Sequence, residues 1–164
     1  MKTKLLILMG LIFLAVCCSK KQTEEKPVLD HVVRTPTLAP QNILHKTLTV
    51  QKQATYTFEV PAHCISPRLR GHFKSYRYED RGSRISDQGA TIDLLLLDEQ
   101  QYNEFKRGPS EATTRMVHAA YEQEVDWALP STFEASQKFY MVFNNFDEKS
   151  KAKTVDTDFT LSFE

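Results

Sequence analysis

From Val155 to the end of the chain, apolar and polar residues alternate without a break. Val155, Thr157, Phe159, Leu161 and Phe163 fall on one parity, and Asp156, Asp158, Thr160, Ser162 and Glu164 on the other. A strand turns successive side chains to opposite faces, so this pattern predicts a half-buried strand, one face on a core and one in water. It constrains the rest of the chain, because such a face needs a second apolar layer to cover it. The preceding run, Phe139 to Phe143, is apolar on both parities, as in a central strand covered on both sides. Between them NNFDEKSKAK is polar and belongs in solvent. Taken together, the two runs predict a closing β-hairpin with a long loop.

Working back, the same period recurs. Leu44, Leu48 and Val50 share a parity, then Tyr56, Phe58 and Val60 up to Pro61, then Leu69, Gly71 and Phe73 within a run from Arg68 to Glu79. Asp80-Arg81-Gly82-Ser83 and Asp87-Gln88-Gly89 are turn clusters. Ala90 to Leu97 is the most apolar run, with Ile92, Leu94 and Leu96 on one side, Leu95 and Leu97 on the other, and Asp93 the odd member. It predicts a central strand covered on both faces. Asp98 with Gln101 forms a capping box, Tyr102 and Phe105 share a helical face, and Gly108-Pro109 stops the turn. One short helix follows. Two more strands are read with Val117, Ala119 and Tyr121, then Val125, Trp127 and Leu129, aligned inward. About eight short strands and one helix predict an all-β, antiparallel, two-sheet sandwich.

The N-terminal segment cannot share that core. Lys2 and Lys4 precede an apolar run from Leu5 to Val16, and Cys17-Cys18 follow. A charged start, a short apolar stretch and small residues describe a secretory signal. Leu14-Ala15-Val16-Cys17 resembles the bacterial lipobox, and the register one residue on, ending at Cys18, also fits. One of Cys17 and Cys18 is therefore expected to carry the lipid, with Cys17 favoured for the Leu three residues before it. Residues 1–16 read as a lipoprotein signal peptide and residues 17–42 as a lipidated flexible tether. Prolines 27, 36 and 40 and a scarcity of periodic apolar residues support the tether, which as a coil would span about 25–30 Å. Residues 43–164 form the sandwich domain. Removing Lys2 and Lys4 takes the formal net charge from zero to −2, so there is no electrostatic footprint for nucleic acid. Cys64 is read as a small buried hydrophobe, and no disulfide framework follows.

The order of signals resembles a known family. Val60-Pro61-Ala62 ends one strand, a strand with Gly71 follows, and Ile92-Asp93-Leu94-Leu95-Leu96-Leu97-Asp98-Glu99 leads into a helix bearing Tyr102 and Phe105. Tyr140-Met141-Val142-Phe143-Asn144-Asn145 and Lys153-Thr154-Val155 close the chain. From Leu44 to Glu164 this is similar to the GOLD (Golgi dynamics) β-sandwich of cargo-adaptor proteins and its bacterial lipoprotein-like relatives, and more loosely to bacterial pre-peptidase C-terminal domains. The resemblance implies a jelly-roll-like sandwich of eight strands in a noncatalytic module that binds or presents other molecules. It transfers no catalytic residues.

One surface stands out as a candidate ligand site. Arg68, Arg70, His72, Lys74, Tyr76 and Tyr78 share the parity opposite Leu69 and Phe73. They form a basic strip running into two tyrosines, a combination that binds anions and stacks on flat ligands. Arg77, Arg81 and Arg84 extend it toward the loop. Asp80, Asp87, Asp93 and Asp98 lack calcium-loop spacing, and the histidines at 31, 45, 63, 72 and 118 lack zinc or nucleophile motifs. No catalytic residue, metal or cofactor is expected. The sequence thus reads as a lipid-anchored, noncatalytic protein of the bacterial cell envelope, periplasmic or on the outer face, with an envelope protein or glycan as partner. The alternatives are a structural envelope lipoprotein without a dedicated ligand, and a small hydrolase.

Overall fold

The computed structural model describes residues 38–79, 82–108, 116–145 and 151–163, with the side chains of Met116 and Val117 left out. The signal-like run, Cys17, Cys18 and the tether as far as residue 37 lie outside them, as do Arg81, Pro109 and the middle of the last loop.

Among the described residues are nine strands: β1 (Gln41–Val50), β2 (Gln53–Val60), β3 (Arg68–Tyr78), β4 (Arg84–Ile85), β5 (Ile92–Asp98), β6 (Met116–Ala120), β7 (Glu122–Ala128), β8 (Gln137–Asn144) and β9 (Lys153–Ser162). One helix, α1 (Glu99–Arg107), follows β5. All pairings are antiparallel. One sheet has the order β1-β9-β3-β4, with β7 also on β3, and the other the order β2-β8-β5-β6. The expected all-β two-sheet sandwich is what the chain forms.

Alternation decides which side chains meet between the sheets. In β9, Val155, Thr157, Phe159 and Leu161 are buried while Asp156, Asp158 and Thr160 are half-buried. Across the gap, Phe143 of β8 packs edge-on against Phe73 at 6.2 Å and Phe159 at 6.4 Å. Phe58 stacks on Phe139 at 5.6 Å. Such rings are among the largest apolar areas a core can bury.

β5 is covered on both faces, as its composition requires. Ile92, Leu94 and Leu96 join the core between the sheets. Leu95 and Leu97 face outward under α1, with Phe105 and Val142. The helix starts where the capping box predicts: Gln101 N–H donates to the Asp98 carboxylate at 2.9 Å, and Asp98 N–H to the Gln101 side-chain oxygen at 3.0 Å. Tyr102 stacks on Tyr140 of β8 at 4.0 Å, pinning the helix to the sheet.

Two expectations are corrected. The last two long strands do not form a hairpin: β8 lies between β2 and β5, and β9 between β1 and β3, in opposite sheets. Each strand is hydrogen-bonded to a neighbour on both edges, β2 and β5 for β8 and β1 and β3 for β9, so neither has an edge left for the other. Phe143 and Phe159 meet across the core instead of side by side. The second correction concerns β6. It pairs Leu94 with His118 and Ile92 with Ala120, which puts His118 and Ala120, not Ala119, on the core side. Ala119 is exposed. The reason is Trp127, whose indole N–H donates to His118 Nε2 at 3.1 Å while the rings stack at 5.2 Å. A buried indole needs an acceptor, and an inward histidine supplies it.

The two ends of the sandwich differ. The register pairs Gln41 with Leu161, Leu161 with Leu69, Arg68 with Ala128, and Val60 with Gln137. The start of β1, the end of β9 and the β2–β3 and β7–β8 connections therefore share one end. Leu38, just ahead of β1, already packs against the core there.

Candidate functional site

The basic strip lies where alternation puts it. β3 pairs with β9 from Arg68 to Tyr76 and with β7 from Arg68 to Lys74 without a register shift. Arg68, Arg70, His72, Lys74, Tyr76 and Tyr78 therefore line one outer face. Gly71, on the inner parity, lets β9 come close: a Cβ there would sit 2.1 Å from the Asp158 carbonyl oxygen.

Register also decides what the strip can bind, because its neighbours are acidic. Arg68 Nε lies 2.9 Å and Arg70 Nε 3.3 Å from one oxygen of Asp126 on β7. Lys74 Nζ lies 2.8 Å from Glu122. His72 is opposite Glu124 on one side and Asp158 on the other, and Asp158 is 3.3 Å from His45 on β1. Arg84, from β4, contacts Asp156 at 2.5 Å and lies 3.6 Å above the Tyr76 ring. A central basic row is thus flanked by two acidic columns. The surface is a ladder of cross-strand pairs of mixed sign, not a positive patch.

The titrating groups respond accordingly. The hydrogen bond from Arg68, helped by Arg70, holds Asp126 below the ordinary carboxylate value. The bond to Glu122 raises Lys74. Burial pushes Asp156 up, but hydrogen bonds from Thr47 and Arg84 outweigh it and leave the carboxyl lowered. Arg77 leaves the strip, making a two-point contact with Asp87 at 2.9 and 2.7 Å. That contact lowers Asp87, which also caps the short 3-10 turn Gln88–Ala90.

The other candidates serve the fold. Asp98 caps α1. Asn145 donates to the Gln51 carbonyl oxygen at 3.0 Å, and its N–H to that of Lys52, closing the β1–β2 turn. Cys64 is buried and unbridged while His63 beside it is exposed. Trp127 is in the core. Among the described residues no three His, Cys, Asp or Glu side chains converge as a metal site, and no helix is long and apolar enough to cross a membrane.

Two features escaped the sequence reading. Lys153 sits on the inner parity of β9, 5% exposed, with Nζ 2.6 Å from the Thr91 carbonyl oxygen. It lines a small cleft with Asp93 and Asn144, and burial raises Asp93 against the pull of the Lys153 charge. Counting back two residues from Val155 would have placed this lysine. The other is the pair Ile65 and Phe133, 62% and 74% exposed, in the two connections at the β1-start end. Isolated apolar residues in loops carry no periodic signal, so only the fold reveals them. No protein-family model matches this chain, and comparison with curated proteins returns no relative.

Proposed function

We propose that this is a lipid-anchored, noncatalytic protein of the bacterial envelope whose sandwich serves as a binding or adaptor module, with another protein as its partner. The observation that carries the partner class is the ladder on the outer face of β3. Bases at 68, 70 and 74 alternate laterally with acids at 122, 126, 156 and 158. A polyanionic glycan would meet both acidic columns, whereas a protein surface of mixed charge can match row for row. The anchor is carried by Lys2, Lys4, the Leu5–Val16 run and Cys17-Cys18. The GOLD-like order of signals supports a presenting role over a catalytic one. The same internal pairing favours a second reading, a structural lipoprotein whose face is satisfied within itself.

Mass spectrometry of the mature N-terminus tests the anchor: an acylated Cys17 or Cys18 is expected, and a mature chain without acyl groups overturns it. In-cell crosslinking from position 72, compared between wild type and an Arg70→Ala, Lys74→Ala, Tyr76→Ala variant, tests the face. A protein adduct lost in the variant supports an adaptor. An adduct unchanged in the variant removes the strip as the site, and no adduct at all leaves the structural reading.

A further inference from the structure

We propose that the paired loop tip carrying Ile65 and Phe133 is a membrane-contact site, inserting into the interface of the bilayer that holds the chain. The tip is built rather than loose. Phe133 O accepts from His63 N–H at 2.9 Å, and Cys64 O from Thr132 N–H at 2.9 Å. Thr132 Oγ1 accepts from Cys64 N–H at 3.1 Å and donates to the Pro61 carbonyl, and Ser131 Oγ accepts from Ser66 N–H at 3.1 Å. His63 and Ser66 are held at φ of 60° and 48°, a region non-glycine residues avoid unless their surroundings impose it. The backbone that carries the two exposed apolar side chains is thus held by hydrogen bonds between the loops, and both side chains stand in water at 62% and 74% exposure.

The occupant follows from charge and placement. Across residues 61–67 and 129–136 Glu134 is the one formally charged side chain, in a chain that is 26% charged. Such a surface offers nothing for a charged protein to pair with, but it matches the boundary of headgroups and acyl chains. The tip also shares its end of the sandwich with the start of β1. The described residues begin with Leu38 at that end, and the apolar run and cysteine pair come before it in the sequence. That the tip meets the anchoring bilayer rests on the lipoprotein reading. On that reading, the inserted tip turns its end of the sandwich to the membrane and leaves the β3 face lateral, open to a partner.

The test uses the full mature chain in phosphatidylcholine vesicles with brominated acyl chains. Trp127 is buried and the chain's single tryptophan, so wild-type emission serves as an internal reference. In Phe133→Trp the added indole is expected to be quenched by the brominated lipid and shifted to the blue, with wild type unaffected. An added indole unquenched in membrane-bound protein overturns the proposal. Should mass spectrometry show no acylation, the anchor reading fails by itself and the tip is judged separately. The unacylated chain should then partition onto zwitterionic vesicles about tenfold better than an Ile65→Ser, Phe133→Ser variant. Equal partitioning overturns the proposal.

Discussion

Lys153 Nζ, on β9 of one sheet, donates a 2.6 Å hydrogen bond to the carbonyl oxygen of Thr91, the residue that leads into β5 of the other. The ammonium is buried, and its charge opposes the upward push that burial exerts on Asp93. Lys153 therefore ties the sheets together where the chain passes between them, and compensates a half-buried carboxylate.

Replacing Lys153 by Met keeps the volume and removes both roles. Leaving the Thr91 carbonyl without its charged donor costs about 1–3 kcal/mol, and Asp93 is then pushed further up. A carboxyl raised in the folded state takes up its proton there before it does in the unfolded chain. The loss in Lys153→Met should therefore be largest near neutral pH and shrink on acidification toward the raised Asp93 value. Urea midpoints at several pH values, with Lys153→Met, Asp93→Asn as the rescuing double variant, measure this. A penalty independent of pH would rule out the coupling.

Gly71 makes a sharper steric claim. Its added Cβ would meet the Asp158 carbonyl oxygen at 2.1 Å and Phe159 Cα at 2.7 Å, both backbone. Side-chain rotation cannot relieve such contacts, so β9 must move. Gly71→Ala should destabilise by about 3 kcal/mol, the upper range for overpacking, whereas Gly82→Ala, with open space around its Cβ position, should be limited to the cost of its φ of 77°. Thermal unfolding of the two variants checks the contrast.

Phe105 is the single buried side chain by which α1 is seated over Leu95, Leu97 and Val142. Phe105→Ala should cost about 3–5 kcal/mol, while Asp98→Ala, which removes only the cap, should cost about 1 kcal/mol. Denaturant titration ranks them, and an equal loss from both would mean the helix is held by its terminus rather than its face.

The ladder on β3 has a pH signature of its own. Asp126 is held below 3.8, its ordinary value, by Arg68 and Arg70. Its contribution is therefore present above that value and is lost as the pH falls through the lower, folded one. The pairs are solvent-exposed and weak singly, so Asp126→Asn should change stability little at pH 7. It should flatten the acid limb below 3.8. A limb as steep as that of wild type would show that other carboxylates govern acid unfolding.

What the sequence made legible was local. The two-sided cover of Ile92 to Leu97, the capping box at Asp98 and the parity of the β3 strip all depend on residues a few positions apart, and all appear in the fold. Partner choice did not appear, because alternation assigns a face and says nothing of the neighbour. Phe139–Phe143 and Val155–Phe163 therefore read as a hairpin, although they lie in different sheets. For the same reason the strip read as basic: Asp126 and Asp156 flank it only through register, about 50 and 80 positions further along the sequence. His118 was set outward because histidine counts as polar, and only the packed position of Trp127 shows why it turns in.

That last pair can be followed directly. His118 Nε2 accepts from the Trp127 indole N–H at 3.1 Å, so in the neutral ring the proton sits on Nδ1. His118→Leu should leave the indole N–H unpaired at a cost of about 1–3 kcal/mol. His118→Gln keeps a side-chain acceptor within the same corner, so it should cost less than His118→Leu, although it gives up the ring stacking at 5.2 Å. Urea unfolding of wild type and both variants at one pH, each checked for folding by far-UV circular dichroism, ranks them. An equal loss from both variants would show that the acceptor is not what holds His118 against Trp127.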